Sequence, residues 1–135
     1  MQRLNETRTL SVSIERDADE VYAFLSAPEN FPKWASGLGQ LRKDGTDWIT
    51  ETPEGPMKIR FSQRNEFGIL DHWLFPASDK VIYIPMRVVK NGTGCLLTFI
   101  LFRLSAMTQD KFEADAEWVM RDLQAAKQLL ESNSR

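Results

Sequence analysis

His72 is the only histidine of the chain and Cys95 the only cysteine. An imidazole titrates near neutrality, so His72 is the side chain best suited to exchange a proton at physiological pH. Three roles stay open for it: a satisfied core group, a hydrogen-bonder to a ligand, or a general acid or base. A single histidine and a single cysteine exclude an intramolecular disulfide, a Cys/His zinc knuckle and a two-histidine iron triad, and no metal is expected. Cys95 falls at a hairpin end with no base beside it, which argues against a nucleophilic thiol. Gly37-Leu38-Gly39 is too short for a phosphate loop and no helix follows it, so no cofactor is expected either.

His72 alternates with Leu70 and Leu74, while Asp71, Trp73 and Phe75 occupy the opposite phase of the same strand. The more apolar Leu-His-Leu phase is expected inward, with the Trp73/Phe75 phase as its competitor. Because strand neighbours point to opposite faces, Asp71 cannot orient His72, which excludes a Ser-His-Asp relay built from these neighbours. Arg103 ends the phase of Leu97, Phe99 and Leu101. It would hold an anionic or carbonyl group at a pocket mouth, or snorkel to an acid of the final helix. Arg60, Arg87 and Tyr83 fall in outward phases and read as solvated or paired.

The elements that must position these groups follow one another closely along 135 residues, read as one domain spanning residues 1–135. Lys and Arg number 17 against 19 Asp and Glu, so no basic excess marks a nucleic-acid platform. The segment Met1–Arg8 is polar and unlike a signal peptide, and the apolar run Cys95–Phe102 is far too short to span a membrane. With one unpaired thiol, a cytoplasmic location is expected.

Leu10, Val12 and Ile14 alternate with Thr9, Ser11 and Ser13, which predicts a half-buried strand over Thr9–Glu15. Asp17 can cap a short helix with Val21, Phe24 and Leu25 on its apolar face, and Pro28 starts a second short helical turn. Six strands are expected between Leu38 and Leu104. Their turns fall at Lys43-Asp44-Gly45, Pro53-Glu54-Gly55-Pro56, Arg64–Gly68 and Asn91-Gly92. Lys80–Lys90 reads as one strand with Ile82, Ile84, Met86 and Val88 in one phase.

Thr108 can cap a long helix to about Ser132, acidic early and basic late at Lys127 and Arg135. Its residues Phe112, Ala116, Val119, Met120, Leu123, Ala126 and Leu130 fall within an arc of about 120°. A second stripe, Trp118, Ala125 and Leu129, would meet surrounding loops or a second copy of the chain. The pattern is α+β: a seven-stranded antiparallel sheet wrapped around a long C-terminal helix, with two short helices after the first strand. One helix rarely fills such a curved sheet, and an elongated apolar cavity is expected between them.

Ser11–Arg16, Ala18–Leu25 and Pro28-Glu29-Asn30-Phe31-Pro32-Lys33-Trp34 together resemble the opening of the helix-grip superfamily. That group includes START lipid-transfer domains, birch-pollen-allergen-like proteins, polyketide cyclases and coenzyme-Q-binding proteins. Gly68-Ile69-Leu70-Asp71-His72, Pro85–Val89 and Phe99–Arg103 are similar to a small bacterial polyketide-cyclase-like branch, and the likeness runs from about Thr9 to Glu131. The resemblance implies a helix-grip fold with a hydrophobic pocket. It carries over no catalytic residue, since the superfamily has none common to all members. Its iron-binding ring-hydroxylase members are excluded by the histidine count.

The expected pocket walls are Trp34, Trp48, Ile59, Phe61, Ile84, Met86, Phe99, Leu101, Phe112, Val119, Met120 and Leu123, with His72 and Arg103 as the polar groups. Aromatic rings and methionines make adaptable walls for a flat or lipid-like guest. The expected function is binding of a small hydrophobic or amphipathic molecule. The alternatives are a polyketide cyclase/dehydratase-like enzyme with His72 as acid/base, and an interaction module or homodimer using Trp118/Leu129 or the outer face with Val81, Val89, Leu96 and Phe102.

Overall fold

The computed structural model describes residues 4–132; Arg135, expected in the basic end of the last helix, lies outside them. Strand β1 (Thr7–Ile14) is followed by helix α1 (Ala18–Leu25), a 3₁₀ turn at Pro28–Asn30 and helix α2 (Phe31–Trp34). Strands β2 (Arg42–Asp44), β3 (Asp47–Thr52), β4 (Gly55–Phe61), β5 (His72–Ala77), β6 (Lys80–Ile84), β7 (Met86–Asn91) and β8 (Gly94–Phe102) then lead to helix α3 (Gln109–Ser132). The Asp17 carboxylate accepts from the Asp19 amide at 3.0 Å and caps α1; the Thr108 hydroxyl accepts from the Lys111 amide at 3.1 Å and caps α3.

All strand pairs are antiparallel, and the sheet wraps around α3 as expected. The strand count differs. Lys80–Lys90 is two strands, because Pro85 has no N–H to donate and breaks the ladder. Before the break β6 pairs with β5; after it β7 pairs with β8. The result is a three-stranded sheet, β1-β8-β7, and a five-stranded sheet, β2-β3-β4-β5-β6. Residues 68–70 join them, with the Leu70 amide donating to the Met86 carbonyl and the Val88 amide to that of Gly68.

Asp71 fastens the seam from the outer side. Its carboxylate accepts from the Met86 amide at 2.9 Å and from the Tyr83 hydroxyl at 2.8 Å, one partner on each side of Pro85. Tyr83 in turn stacks on Trp73 and Phe102, so an aromatic row crosses the seam. Another outer-face cluster sits on the five-stranded sheet. Buried Asp47 accepts two hydrogen bonds from Arg60, at 2.7 and 3.1 Å, and these pull its carboxyl below the ordinary range.

Helix α3 is anchored along β1. Arg8 donates two hydrogen bonds to Glu113 at 3.0 and 2.7 Å, and Lys127 reaches the Ser13 carbonyl at 2.6 Å. Near the helix end, Glu131 accepts from the Glu15 amide and Arg16 donates to the Leu130 carbonyl. Phe112, Ala116, Leu123, Ala126 and Leu130 are buried along this helix. With the helix drawn toward β1, α2 and the loop after it roof the inner face of the five-stranded sheet, where Phe31 meets Phe61 and His72, while α1 packs against β7 and β8. No helix among the described residues is long and apolar enough to cross a membrane.

Candidate functional site

Between that roof and the sheet lies a cavity of about 180 Å³. Its walls are apolar and come from four places: Phe31, Trp34, Ala35 and Leu38 on α2 and its loop; Met57, Leu74 and Ile84 on the sheet; Phe99 on β8; Val119 on α3. Ser36, His72 and Asp122 supply its polar edge. A crevice of about 20 Å³, room for one water molecule, adjoins it beside Tyr22, Phe61, Leu70 and Met86. Phe31, Trp34 and His72 line both spaces.

Why these side chains converge follows from local structure. Phe31 and Trp34 are three residues apart on α2, hence on one face, with ring centroids 5.2 Å apart edge to face. Phe31 also meets Phe61 at 5.4 Å and His72 at 5.4 Å. His72 lies opposite Phe61 on β4 and Ile84 on β6 in the strand register, which puts the three on one inward row. The Leu-His-Leu phase therefore faces inward, and Trp73 and Phe75 face out.

His72 is 3% exposed, and its Nδ1 lies 3.0 Å from the Leu70 carbonyl. A carbonyl oxygen only accepts, so Nδ1 carries the proton. Burial pushes the imidazole below its ordinary pKa, outweighing the Leu70 bond and the Asp71 charge, and the ring is neutral at physiological pH. Its Nε2 is then a bare acceptor, and no second partner meets the ring among the described residues. Trp34 is 5% exposed, and its indole Nε1–H is buried without a partner. Buried polar groups are nearly always paired, so the Trp34 indole N–H, closed off from open space and without a partner among the described residues, stands out.

Asp122 edges the same cavity from α3. It accepts from the Ser36 hydroxyl at 2.8 Å and the Ser36 amide at 3.3 Å. Partial burial nevertheless raises its carboxyl above the ordinary value. Chemically the site offers an apolar slot with the His72 imidazole and one edge carboxyl as its polar groups. No group of three or more His, Cys, Asp or Glu side chains is placed to hold a metal ion among the described residues.

Of the expected lining residues, the structure brings Trp34, Phe61, His72, Ile84, Met86, Phe99 and Val119 to these two spaces. The others stand elsewhere, for reasons of packing. Ile59, Phe112 and Leu123 are wholly buried core and touch neither space. Leu101 and Met120 pack around that core. Trp48 lies on β3 toward the sheet edge, beneath the Lys43 ammonium. Arg103 is fully engaged away from the cavity. It donates to the Met107 carbonyl at 3.0 Å, to Gln109 at 2.9 Å and to Glu6 at 3.3 Å, so it ties the strand end to the N-terminal segment.

The sequence reasoning missed Phe31, Ala35, Ser36, Leu38, Met57, Leu74 and Asp122. Phe31 carried a usable signal in its three-residue spacing from Trp34; Asp122 carried one as an acid a single turn from both Trp118 and Val119. Cys95 is buried at the strand end, and burial raises its thiol, so it is no nucleophile.

Solved structures share this architecture. XoxI from Bacillus cereus matches with a TM-score of 0.74 at 13% identity, over 96% of this chain and 99% of its own. A START superfamily protein from Mycobacterium smegmatis matches with 0.71 at 10%, over 95% and 99%. The di-domain ARO/CYC BexL of the BE-7585A biosynthetic pathway matches with 0.72 at 13%, over 93% of this chain and 46% of its own. The chain has the helix-grip fold of the START, birch-pollen-allergen-like and polyketide-cyclase-like proteins. No protein-family model matches its sequence, nor does any curated protein.

Proposed function

We propose that the chain binds a small hydrophobic or amphipathic molecule in the cavity between the sheet, α2 and α3. The observation that carries this reading is the cavity of about 180 Å³ with apolar walls and a polar edge formed by Ser36, His72 and Asp122. Desolvation of the walls would supply most of the affinity, and the polar groups the orientation. START and cyclase-like neighbours with the same fold are consistent with it. Native mass spectrometry of protein purified from its own cells tests the reading directly. A retained small molecule, lost in a variant with Val119→Trp filling the slot, is the expected result. A chain that retains nothing, and whose melting temperature no apolar compound raises, overturns it.

His72 acting on a bound guest as acid or base is the second reading, favoured by its fixed tautomer with Nε2 unpaired. Two features weigh against it. Burial opposes the imidazolium that a general base becomes, and the Leu70 carbonyl supplies no full charge to stabilise it. Self-association has less behind it: Trp118 is 48% exposed, but its ring edge leans on Gly37.

A further inference from the structure

We propose that the guest is a single-ring primary amine, its ring in the apolar slot and its ammonium at the cavity edge against the Asp122 carboxylate. This rests on the binding reading above and names the ligand class for that cavity. Size comes first. Pockets for drug-sized ligands usually measure about 300–1,000 Å³, well above the 180 Å³ found here. A cavity of about 150 Å³ lined by Leu, Ile and Phe accommodates benzene. The slot therefore suits one six-membered ring with few substituents, and is too small for a long acyl chain or a multi-ring polyketide. Phe31, Trp34 and Phe99 in its walls favour a flat ring, through offset or edge-on contacts, over an aliphatic guest of equal area.

Charge selects the polar end. Asp122 is the one acidic residue that lines the cavity, and it is half-buried. Several other shielded carboxylates of the chain lie beside cations: Asp47 beside Arg60 and Lys58, Glu113 beside Arg8, Glu131 beside Lys127. Asp122 makes no ion pair among the described residues. Its neighbour Arg121 lies over the Trp118 ring instead. Only neutral donors answer the carboxylate: the Ser36 hydroxyl and amide, both on Oδ1, and a weaker contact from the Trp118 indole one turn earlier. Burial outweighs these bonds and raises the carboxyl, the mark of an anion short of positive charge. An ammonium supplies that charge together with its donors, and at the edge it keeps part of its hydration. A carboxylate guest would repel Asp122, and no Lys or Arg lines the cavity to receive one.

The experiment compares benzylamine with toluene, which shares the ring, and with benzyl alcohol, which carries an uncharged donor. Affinities are measured by titration calorimetry at neutral pH for the wild-type chain and Asp122→Asn. Each is expressed relative to toluene in the same variant, so differences in hydration and any loosening of the Ser36 loop cancel. Benzylamine and toluene both bind the wild type on this proposal. In Asp122→Asn the benzylamine/toluene ratio falls about tenfold, the worth of one charge-assisted hydrogen bond at a partly exposed site. The benzyl alcohol/toluene ratio moves much less, because the Asn amide oxygen still accepts from a hydroxyl. Asp122→Ala also removes the charge and shows the same fall for benzylamine, which guards against the Asn variant failing to fold. An unchanged benzylamine ratio in a folded variant overturns the proposal. So does an equal fall for benzyl alcohol in Asp122→Asn, or a wild type that binds toluene or 1-decanol but not benzylamine; in each case the binding reading stands. Failure of all four compounds overturns both.

Discussion

Asp122 on α3 accepts from both the hydroxyl and the backbone amide of Ser36, at 2.8 and 3.3 Å, and so fastens the loop after α2 to the helix at the cavity edge. The latch is held by a carboxyl whose burial raises its pKa. Between the unfolded value and that raised value, the folded chain keeps a proton that the unfolded chain has released. Stability therefore falls as pH rises through this window. Asp122→Asn keeps an acceptor for the Ser36 hydroxyl and removes the titration. Its melting temperature should gain on the wild type as pH rises from the ordinary aspartate value toward the raised one. A constant difference across that range would show that the carboxyl is not perturbed by its surroundings.

His72 gives the opposite slope. Its folded pKa lies below the ordinary histidine value, so the unfolded chain takes up the proton first as pH falls. The associated stability is complete above the ordinary value and is lost as pH drops toward the folded one. Since the chain has one histidine, His72→Leu should flatten the melting-temperature profile between about pH 7 and pH 5.5. Thermal melts of both proteins in matched buffers decide it, and parallel profiles would refute the burial argument.

Two residues of one helix should respond very differently to truncation. Leu123 is wholly buried in packed core, and Leu123→Ala should cost about 2–5 kcal/mol. Val119 already borders open space; Val119→Ala should cost about 1 kcal/mol because little new void forms. Urea unfolding of both variants measures the difference, and equal losses would mean that the cavity collapses around Val119.

Glycines 45 and 68 both have positive φ, 64° and 72°. Around Gly45 a methyl would meet nothing within 4 Å, so Gly45→Ala should cost about 1 kcal/mol of left-handed strain alone. At Gly68 the methyl would run into the Val88 carbonyl, where residues 68–70 join the two sheets. Gly68→Ala should lose several times as much stability in thermal melts. Similar losses at both sites would contradict the close approach.

Much of this was legible in the residues, because the signals were local. Asp17 and Thr108 declare helix starts by the chemistry of their side chains, and Asn91-Gly92 declares a hairpin in which Gly92 takes a φ of 58°. The period-two pattern from Ile82 to Val88 reads as one phase of a single strand, but it passes straight through Pro85, where the segment divides into β6 and β7. The change of pairing partner there leaves the hydrophobic rhythm untouched, and only the missing N–H records it. The site was harder to read. Phe112, Val119 and Leu123 share a stripe, yet only Val119 reaches the cavity. What separates them is where along its length the helix is pinned to β1, by Arg8–Glu113 and Lys127–Ser13, and those partners lie more than a hundred positions away. Asp122 meets the cavity edge through Ser36, a partner far away along the chain.

The interruption at Pro85 divides the barrel-like shell into two plates sharing a margin. Ile84 on one plate and Met86 on the other are inward neighbours separated by a residue with no amide hydrogen, so that margin is bound by Asp71 and by residues 68–70 more than by a continuous ladder. The Ile100 amide also donates to the Pro85 carbonyl at 3.0 Å, so any widening of the interior that spared the ladders of both plates would have to fall along this one joint. Flexing of that kind would confine adjustment to one line of the wall and spare the rest of the framework.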